Sequence, residues 1–155
     1  MSEHRATVQW QNHGVTLDYE NFSRDHRWLV KEGRLTVPAS SAPAYKGNPD
    51  VMDPEDALVA ALASCHMLTF LAIAARRRLV VLDYTDSAQG WLEPDAAGRL
   101  AVTRVELRPV VRFAPGTVLS VEEHGKLHEK AHRGCFIANS LKTAVTVIPE
   151  KVPDT

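Results

Sequence analysis

Asp53-Pro54-Glu55-Asp56-Ala57-Leu58-Val59-Ala60-Ala61-Leu62-Ala63-Ser64-Cys65-His66-Met67-Leu68-Thr69-Phe70-Leu71-Ala72-Ile73-Ala74-Ala75 decides the fold of this chain. It opens as a helix. Asp53 offers a capping carboxylate, Pro54 suits the first helical position, and Glu55 and Asp56 complement the positive end of the helix dipole. Only Ser64, His66 and Thr69 interrupt the apolar run from 57 to 75, and Arg76-Arg77-Arg78 follows where cations favour the negative end. A helix apolar all round is buried on every side or lies in a membrane. The run approaches the length of a span, but it is rich in alanine rather than leucine, and the rest of the chain reads as strands that need a core. The reading is a buried central helix and no membrane partner.

Around this helix the signals are mostly those of strands. Residues 7–10, 15–19, 28–30 and 35–37 are short runs of strand formers, broken by Asn12-His13-Gly14 and by a Glu32-Gly33 turn. The Pro, Ser, Gly and Asn residues between 38 and 50 read as a loop. Downstream, strands over 84–91 and 100–113 flank a turn at 94–98. In the second, Val105, Leu107, Val111 and Phe113 share one face and Arg104, Glu106, Arg108 and Arg112 the other. Pro109 marks an edge or a bulge there. Ser120-Val121-Glu122-Glu123 is a capping box that opens a second helix, which Gly134 closes. A short segment over 136–141 and a last strand over 144–148 complete an α+β chain read as one domain, 1–155, with antiparallel sheets around the central helix.

Composition excludes several functions. With 155 residues, 45% apolar and 24% charged, the chain has material for a core without metal or disulfide staples. A formal net charge of −1 and the lack of a basic stretch argue against nucleic acid as a partner. The first residues lack the apolar run of a secretory signal, so a cytoplasmic location is expected. Two cysteines are too few for a disulfide scaffold and read as free thiols, a redox pair or metal ligands.

Those cysteines are the candidates for chemistry. Cys65 lies mid-helix in the most apolar stretch, where a thiol behaves as a small hydrophobe and burial alone makes it inert. A reactive Cys65 needs a cation beside it. Cys135 follows Gly134 at an element junction, a more exposed kind of position, and spacing alone does not bring the two sulfurs together. His128-Glu129-Lys130-Ala131-His132 matches the H-E-x-x-H pattern of zinc proteases. The chain is small for a protease, however, and a third ligand would have to come from His66, Cys65 or Cys135, so an amphipathic helix with packed histidines is preferred and no metal is expected.

The stretch from Asp53 to His66 resembles the central-helix motif of the OsmC/Ohr family, the osmotically induced and organic hydroperoxide resistance proteins. That motif has an Asn/Asp-Pro-Glu opening, a helix of small residues and a cysteine ten positions after the glutamate. Gly134-Cys135-Phe136-Ile137-Ala138-Asn139-Ser140 resembles the segment that carries the family's second cysteine, and Ser23-Arg24-Asp25-His26 its Arg-Asp turn. The resemblance implies an OsmC-like fold, an intertwined homodimer, and thiol-dependent reduction of organic hydroperoxides without a bound cofactor. Carried over by position, Cys65 is the peroxidatic thiol, Cys135 the resolving thiol, Arg24 the activating cation and Glu55 the carboxylate that aims it. An external dithiol, of lipoyl type, is the implied reductant. Arg27 and Arg34 compete with Arg24, and Leu68, Phe70 and Phe136 are candidates for an apolar substrate wall. The chain departs from the common pattern at His66, where an apolar residue is usual, and at Phe136, where proline is common. A non-catalytic binding or redox-sensing protein of the same fold is the rival reading.

Overall fold

The computed structural model describes residues 1–12, 14 and 17–151 and forms two compact units, Met1–Ala57 and Leu58–Thr155. In the first unit β1 (Ala6–Gln9), β2 (His26–Val30) and β3 (Leu35–Ala39) form an antiparallel sheet in the order β1-β2-β3. Val8 faces Trp28, and Trp28 faces Val37. Residues 15 and 16 of the strand expected over 15–19 lie outside the described residues. Its remainder runs into a turn, in which the Asn21 and Phe22 amides donate to the Asp18 carbonyl at 3.0 and 2.8 Å. The loop after β3 ties itself down. The Ser40 amide donates to the Met52 carbonyl, and the buried Ser40 hydroxyl accepts from the Asn48 amide at 3.1 Å.

The central helix α1 (Pro54–Arg76) starts as its sequence dictates, with the Asp56 amide donating to the Asp53 carboxylate at 2.8 Å. Burial on all sides does not hold. Leu62, His66, Phe70, Ile73 and Ala74 form one buried stripe, while Ala60, Ala61, Ser64, Leu68, Ala72 and Ala75 are exposed. The composition is apolar all round, but the second unit supplies a wall for only one face. Along that wall Gly90 is required for close approach, because a Cβ there would stand 2.6 Å from a methyl of Val59.

The second unit continues with β4 (Val81–Asp86), β5 (Gln89–Pro94), β6 (Leu100–Leu107), β7 (Pro109–Phe113), α2 (Val121–Gly134), β8 (Ala144–Val147) and β9 (Glu150–Lys151). The two long strands expected over 84–91 and 100–113 are each cut in two. The chain crosses between one sheet, ordered β4-β7-β9, and another, ordered β5-β6-β8, at Ser87-Ala88, at Arg108 and again between β8 and β9. The Asp86 carboxylate accepts from the Arg108 amide at 2.7 Å, and the Ile148 amide donates to the Leu107 carbonyl at 2.8 Å. These two bonds satisfy backbone groups that the corner would leave unpaired. Pro109 is the first residue of β7, where its missing N–H costs no ladder bond. The sheets are mixed rather than antiparallel, since β6 pairs with β8 and β7 with β9 in parallel after the crossover through α2.

Helix α2 carries the expected capping box. The Ser120 hydroxyl accepts from the Glu123 amide, and the Glu123 carboxylate accepts from the Ser120 amide at 2.8 Å. Its close is different. Gly134 is the last helical residue, and Cys135, in an extended conformation, ends the helix. Two apolar clusters lie in this unit. Phe70, Ile73, Ala74, Val111, Leu127 and Ala131 form one, and Leu62, Val105, Leu107 and Cys135 the other.

Candidate active site

Cys65 and Cys135 meet. Cys65 packs against the apolar cluster that contains Cys135, near enough for its thiol to act on that of Cys135. The approach is set by the helices that carry them. Thr69, one turn after Cys65, donates its hydroxyl to the Cys65 carbonyl at 2.8 Å, and its methyl group faces Gly134. A side chain at Gly134 would have to push that methyl aside, since its Cβ would stand 3.0 Å away, and Cys135 is the next residue in the chain.

The exposures reverse the reading of Cys135 as the open thiol. Cys135 is fully buried against Leu62, Val105 and Leu107, and its sulfur accepts from the Ala138 amide at 3.4 Å. Cys65 is half-buried. Burial raises the Cys135 thiol above its ordinary value, and the neighbouring Cys65 pushes the same way. Both cysteines are free thiols. The pair therefore consists of one half-buried cysteine and one fully buried cysteine.

Arg24 and Glu55 stand in the first unit. Arg24 sits in the loop before β2, where its guanidinium lies 3.8 Å over the Phe22 ring and donates to the carbonyls of Phe22, at 2.5 Å, and Tyr19. Its backbone is also fixed. The Trp28 indole can only donate, so His26 Nε2 accepts from it at 2.9 Å, and His26 Nδ1 donates to the Arg24 carbonyl at 2.8 Å. Arg27 and Arg34 are exposed, and Arg34 is spent on the Lys31 carbonyl. Glu55 is half-buried in the first turn of α1, ten residues before Cys65. Of the expected apolar wall, Leu68 and Phe136 are exposed. Phe70 instead lies wholly in the core, stacked on His128 with ring centres 4.3 Å apart, and lines no open surface.

The histidines of the H-E-x-x-H stretch are packed, as preferred from sequence, but in an arrangement that sequence did not reveal. His66 Nε2 and His128 Nδ1 are 3.1 Å apart, and His128 Nε2 and His124 Nε2 are 3.2 Å apart. His128 thus spends both nitrogens on other imidazoles, while Glu129 is exposed and nearest Arg133 at 4.0 Å. Burial, reinforced by His132, lowers His66 to about 4, and burial with His124 and His66 lowers His128 to about 3. Among the described residues no three His, Cys, Asp or Glu side chains converge as a metal would need. The available signal for the cluster was the spacing of His124, His128 and His132, which repeats every four residues and stacks on one helical face.

Comparison with known proteins bears on the frame around this site. A family model described as OsmC-like protein matches residues 47–150. No curated protein matches the sequence. Among solved structures, an OsmC-like protein of unknown function from Vibrio cholerae is 41% identical, with a TM-score of 0.90 over 97% of this chain and 100% of the other. An organic hydroperoxide resistance protein from Elizabethkingia anophelis shares the fold at 19% identity and a TM-score of 0.74, covering 99% of this chain and 98% of that one. The organic hydroperoxide resistance protein OhrB of Bacillus subtilis does so at 18% identity and a TM-score of 0.63, covering 97% and 98%. A matched family model across two thirds of the chain, together with a relative of this identity over nearly all of it, makes the chain a member of the OsmC-like family.

Proposed function

We propose that this protein reduces organic hydroperoxides to alcohols with its two thiols, Cys65 attacking and Cys135 resolving. The observation that carries the reading is the packing of a half-buried Cys65 against the cluster that holds a fully buried Cys135. A peroxide meets the accessible sulfur. The sulfenic acid formed there already has its partner beside it, so closure competes with further oxidation. Shared fold with the Elizabethkingia and Bacillus hydroperoxide resistance proteins supports the same chemistry.

In this reading the Cys65 thiolate attacks the outer peroxide oxygen, the O–O bond breaks, and the alkoxide leaves and is protonated. Cys135 then attacks the Cys65 sulfur, the S–O bond breaks, and water leaves as the disulfide forms. An external dithiol of lipoyl type in the cytoplasm returns both thiols by exchange. An ordinary thiol, near ~8.5, needs roughly 3–4 kcal/mol of preferential anion stabilisation to fall by ~2–3 units. Arg24 is the proposed source, its guanidinium held in place by carbonyls and an aromatic ring.

A homodimer belongs to the same proposal. Glu55 and Cys65 are ten residues apart on one helix, a rise of roughly 15 Å, and in this reading the Glu55 carboxylate serves a thiol on a second copy. Leu68 is 60% exposed and Phe136 80% exposed, and a second copy would cover them.

The test is to mix reduced protein with one equivalent of cumene hydroperoxide or hydrogen peroxide and map the products by intact mass and peptide analysis. Loss of two hydrogens with a Cys65–Cys135 link, faster with the organic peroxide, is expected. Thiols that stay unreacted in folded protein overturn the reading and favour a binding role.

A further inference from the structure

The buried imidazoles of α1 and α2 are not used by the two-thiol mechanism. His66 is fully buried, His128 is 1% exposed and His124 8%. They are joined in series by the contacts of 3.1 and 3.2 Å. A neutral imidazole has one N–H and one lone pair, so the tautomers of three rings linked this way are tied together. In one state His66 Nε2–H donates to His128 Nδ1 and His128 Nε2–H donates to His124 Nε2, which leaves His66 Nδ1 as a bare lone pair. In the other every donor is reversed, and His66 Nδ1 carries a proton. Passage between the two takes up one proton at His66 Nδ1 and releases one from His124 Nδ1.

The inner end of this chain lies toward the end of the α1–α2 contact that carries the cysteines. His66 Nδ1 is buried and has no hydrogen-bond partner, and the same is true of His132 Nδ1. These two rings, which act on each other electrostatically, come one from each helix. His66 follows Cys65 directly, and His132 precedes Cys135 by three residues. The imidazole pair and the sulfur pair are thus successive contacts between the same two helices, offset by on the order of 5 Å along their axes. From His132 to His124 is two turns of α2, roughly 12 Å, toward its capped outer end.

We infer that His66, His128 and His124 form a proton relay linking the Cys65–Cys135 end of the α1–α2 contact to the outer end of α2. What the proton is for rests on the two-thiol reading. Cys135 is sealed from water and must lose its proton before it attacks. The proton enters at the unsatisfied nitrogens of His132 and His66, the three rings exchange tautomers, and His124 releases a proton outward. The Cys135 thiolate then forms the S–S bond, and the hydroxide expelled from Cys65 takes a proton from solvent to leave as water. The low values of His66 and His128 keep the relay neutral at working pH, as tautomer exchange requires. Among the described residues, the titratable groups near it include His132 on α2 and, on β4, Tyr84, whose ring lies 6.4 Å from that of His128 and has Asp86 beside it. Burial holds Tyr84 as a neutral phenol.

The relay is tested by closure of the Cys65–Cys135 disulfide with diamide. Diamide oxidises dithiols whether or not the protein reduces peroxides, so failure of the peroxidase reading stays separate from failure of the relay. His128→Ala opens a ring-sized space and is expected to slow closure about tenfold or more. Added imidazole is expected to restore the rate, and thiophene, an apolar ring of similar size, is not. Unchanged closure in folded His128→Ala, or equal rescue by thiophene, overturns the relay. If His128→Ala does not fold, nitrogen-15 spectra of the wild-type imidazoles decide. Shifts averaged between protonated and bare nitrogen support the relay, and one fixed tautomer per ring overturns it.

Discussion

Gly134 at the end of α2 stands so close to Thr69 of α1 that a Cβ in its place would lie 3.0 Å from the Thr69 methyl group. That approach is one turn from Cys65 and one residue from Cys135, so it sets how near the two sulfurs come. Gly134→Val forces the helices apart. An expected loss of roughly 1–3 kcal/mol of stability accompanies a marked slowing of the Cys65–Cys135 link. Urea unfolding and timed diamide oxidation measure the two effects. Closure at the wild-type rate in the variant would show that the helix contact does not position the thiols.

The buried imidazoles give the fold a pH dependence of definite sign. His66 and His128 titrate at about 4 and about 3 in the folded chain, against 6.5 when exposed. Below pH 6.5 the unfolded chain therefore binds more protons, and stability falls as the pH drops from 6.5 toward 3. A loss on the order of 2–4 kcal/mol between pH 7 and pH 5 is expected from the two rings together. Urea unfolding at pH 7.5, 6 and 5 measures it, and His128→Phe should flatten the slope. A wild-type stability independent of pH over this range would mean that the rings are not buried as neutral groups.

The local signals in the sequence were sufficient for the element types. Asp53 and Pro54 at the start of α1, and the Ser120–Glu123 box of α2, act within one turn of themselves and need no tertiary context. What escaped depends on residues far apart in the chain. The break of the second long strand at Arg108 is stabilised by a carboxylate 22 residues away. Burial of Cys135 follows from the Gly134–Thr69 approach, which no spacing rule contains. The one-sided burial of α1 depends on what packs against it, and both of its faces are largely apolar. The imidazole chain needs His66 from one helix to meet His128 from another, and periodicity within α2 gives only half of that encounter.

The two thiols are expected to fail differently. Cys65→Ser abolishes peroxide consumption, because the accessible nucleophile is gone. Cys135→Ser still reacts once and accumulates sulfenic acid at Cys65, which dimedone traps and mass spectrometry counts. Full activity in Cys65→Ser would end the proposed mechanism.

Arg24→Ala is expected to raise the Cys65 titration midpoint and to slow peroxide consumption at neutral pH by about tenfold or more, since one desolvated guanidinium is worth a pKa unit or more. Thermal unfolding separates this from a loss of structure, because Arg24 also braces its loop through Phe22 and Tyr19. Titration of Cys65 by absorbance at 240 nm in a folded variant is the deciding measurement. An unchanged midpoint would move the activating role to Arg27 or Arg34.

Leu68 lies on the exposed stripe of α1 opposite the buried one, and a second copy of the chain is its proposed cover. Leu68→Glu places a carboxylate at the centre of that stripe. The cost of desolvating it against apolar side chains exceeds what a rim position would tolerate, so the dimer should dissociate into monomers in sedimentation velocity runs at micromolar concentration. If Glu55 serves a thiol on the second copy, the monomeric variant loses peroxide turnover while its own Cys65–Cys135 pair still closes with diamide. A monomer that retains full turnover would remove Glu55 from the site, and a Leu68→Glu protein that stays dimeric would place the interface elsewhere.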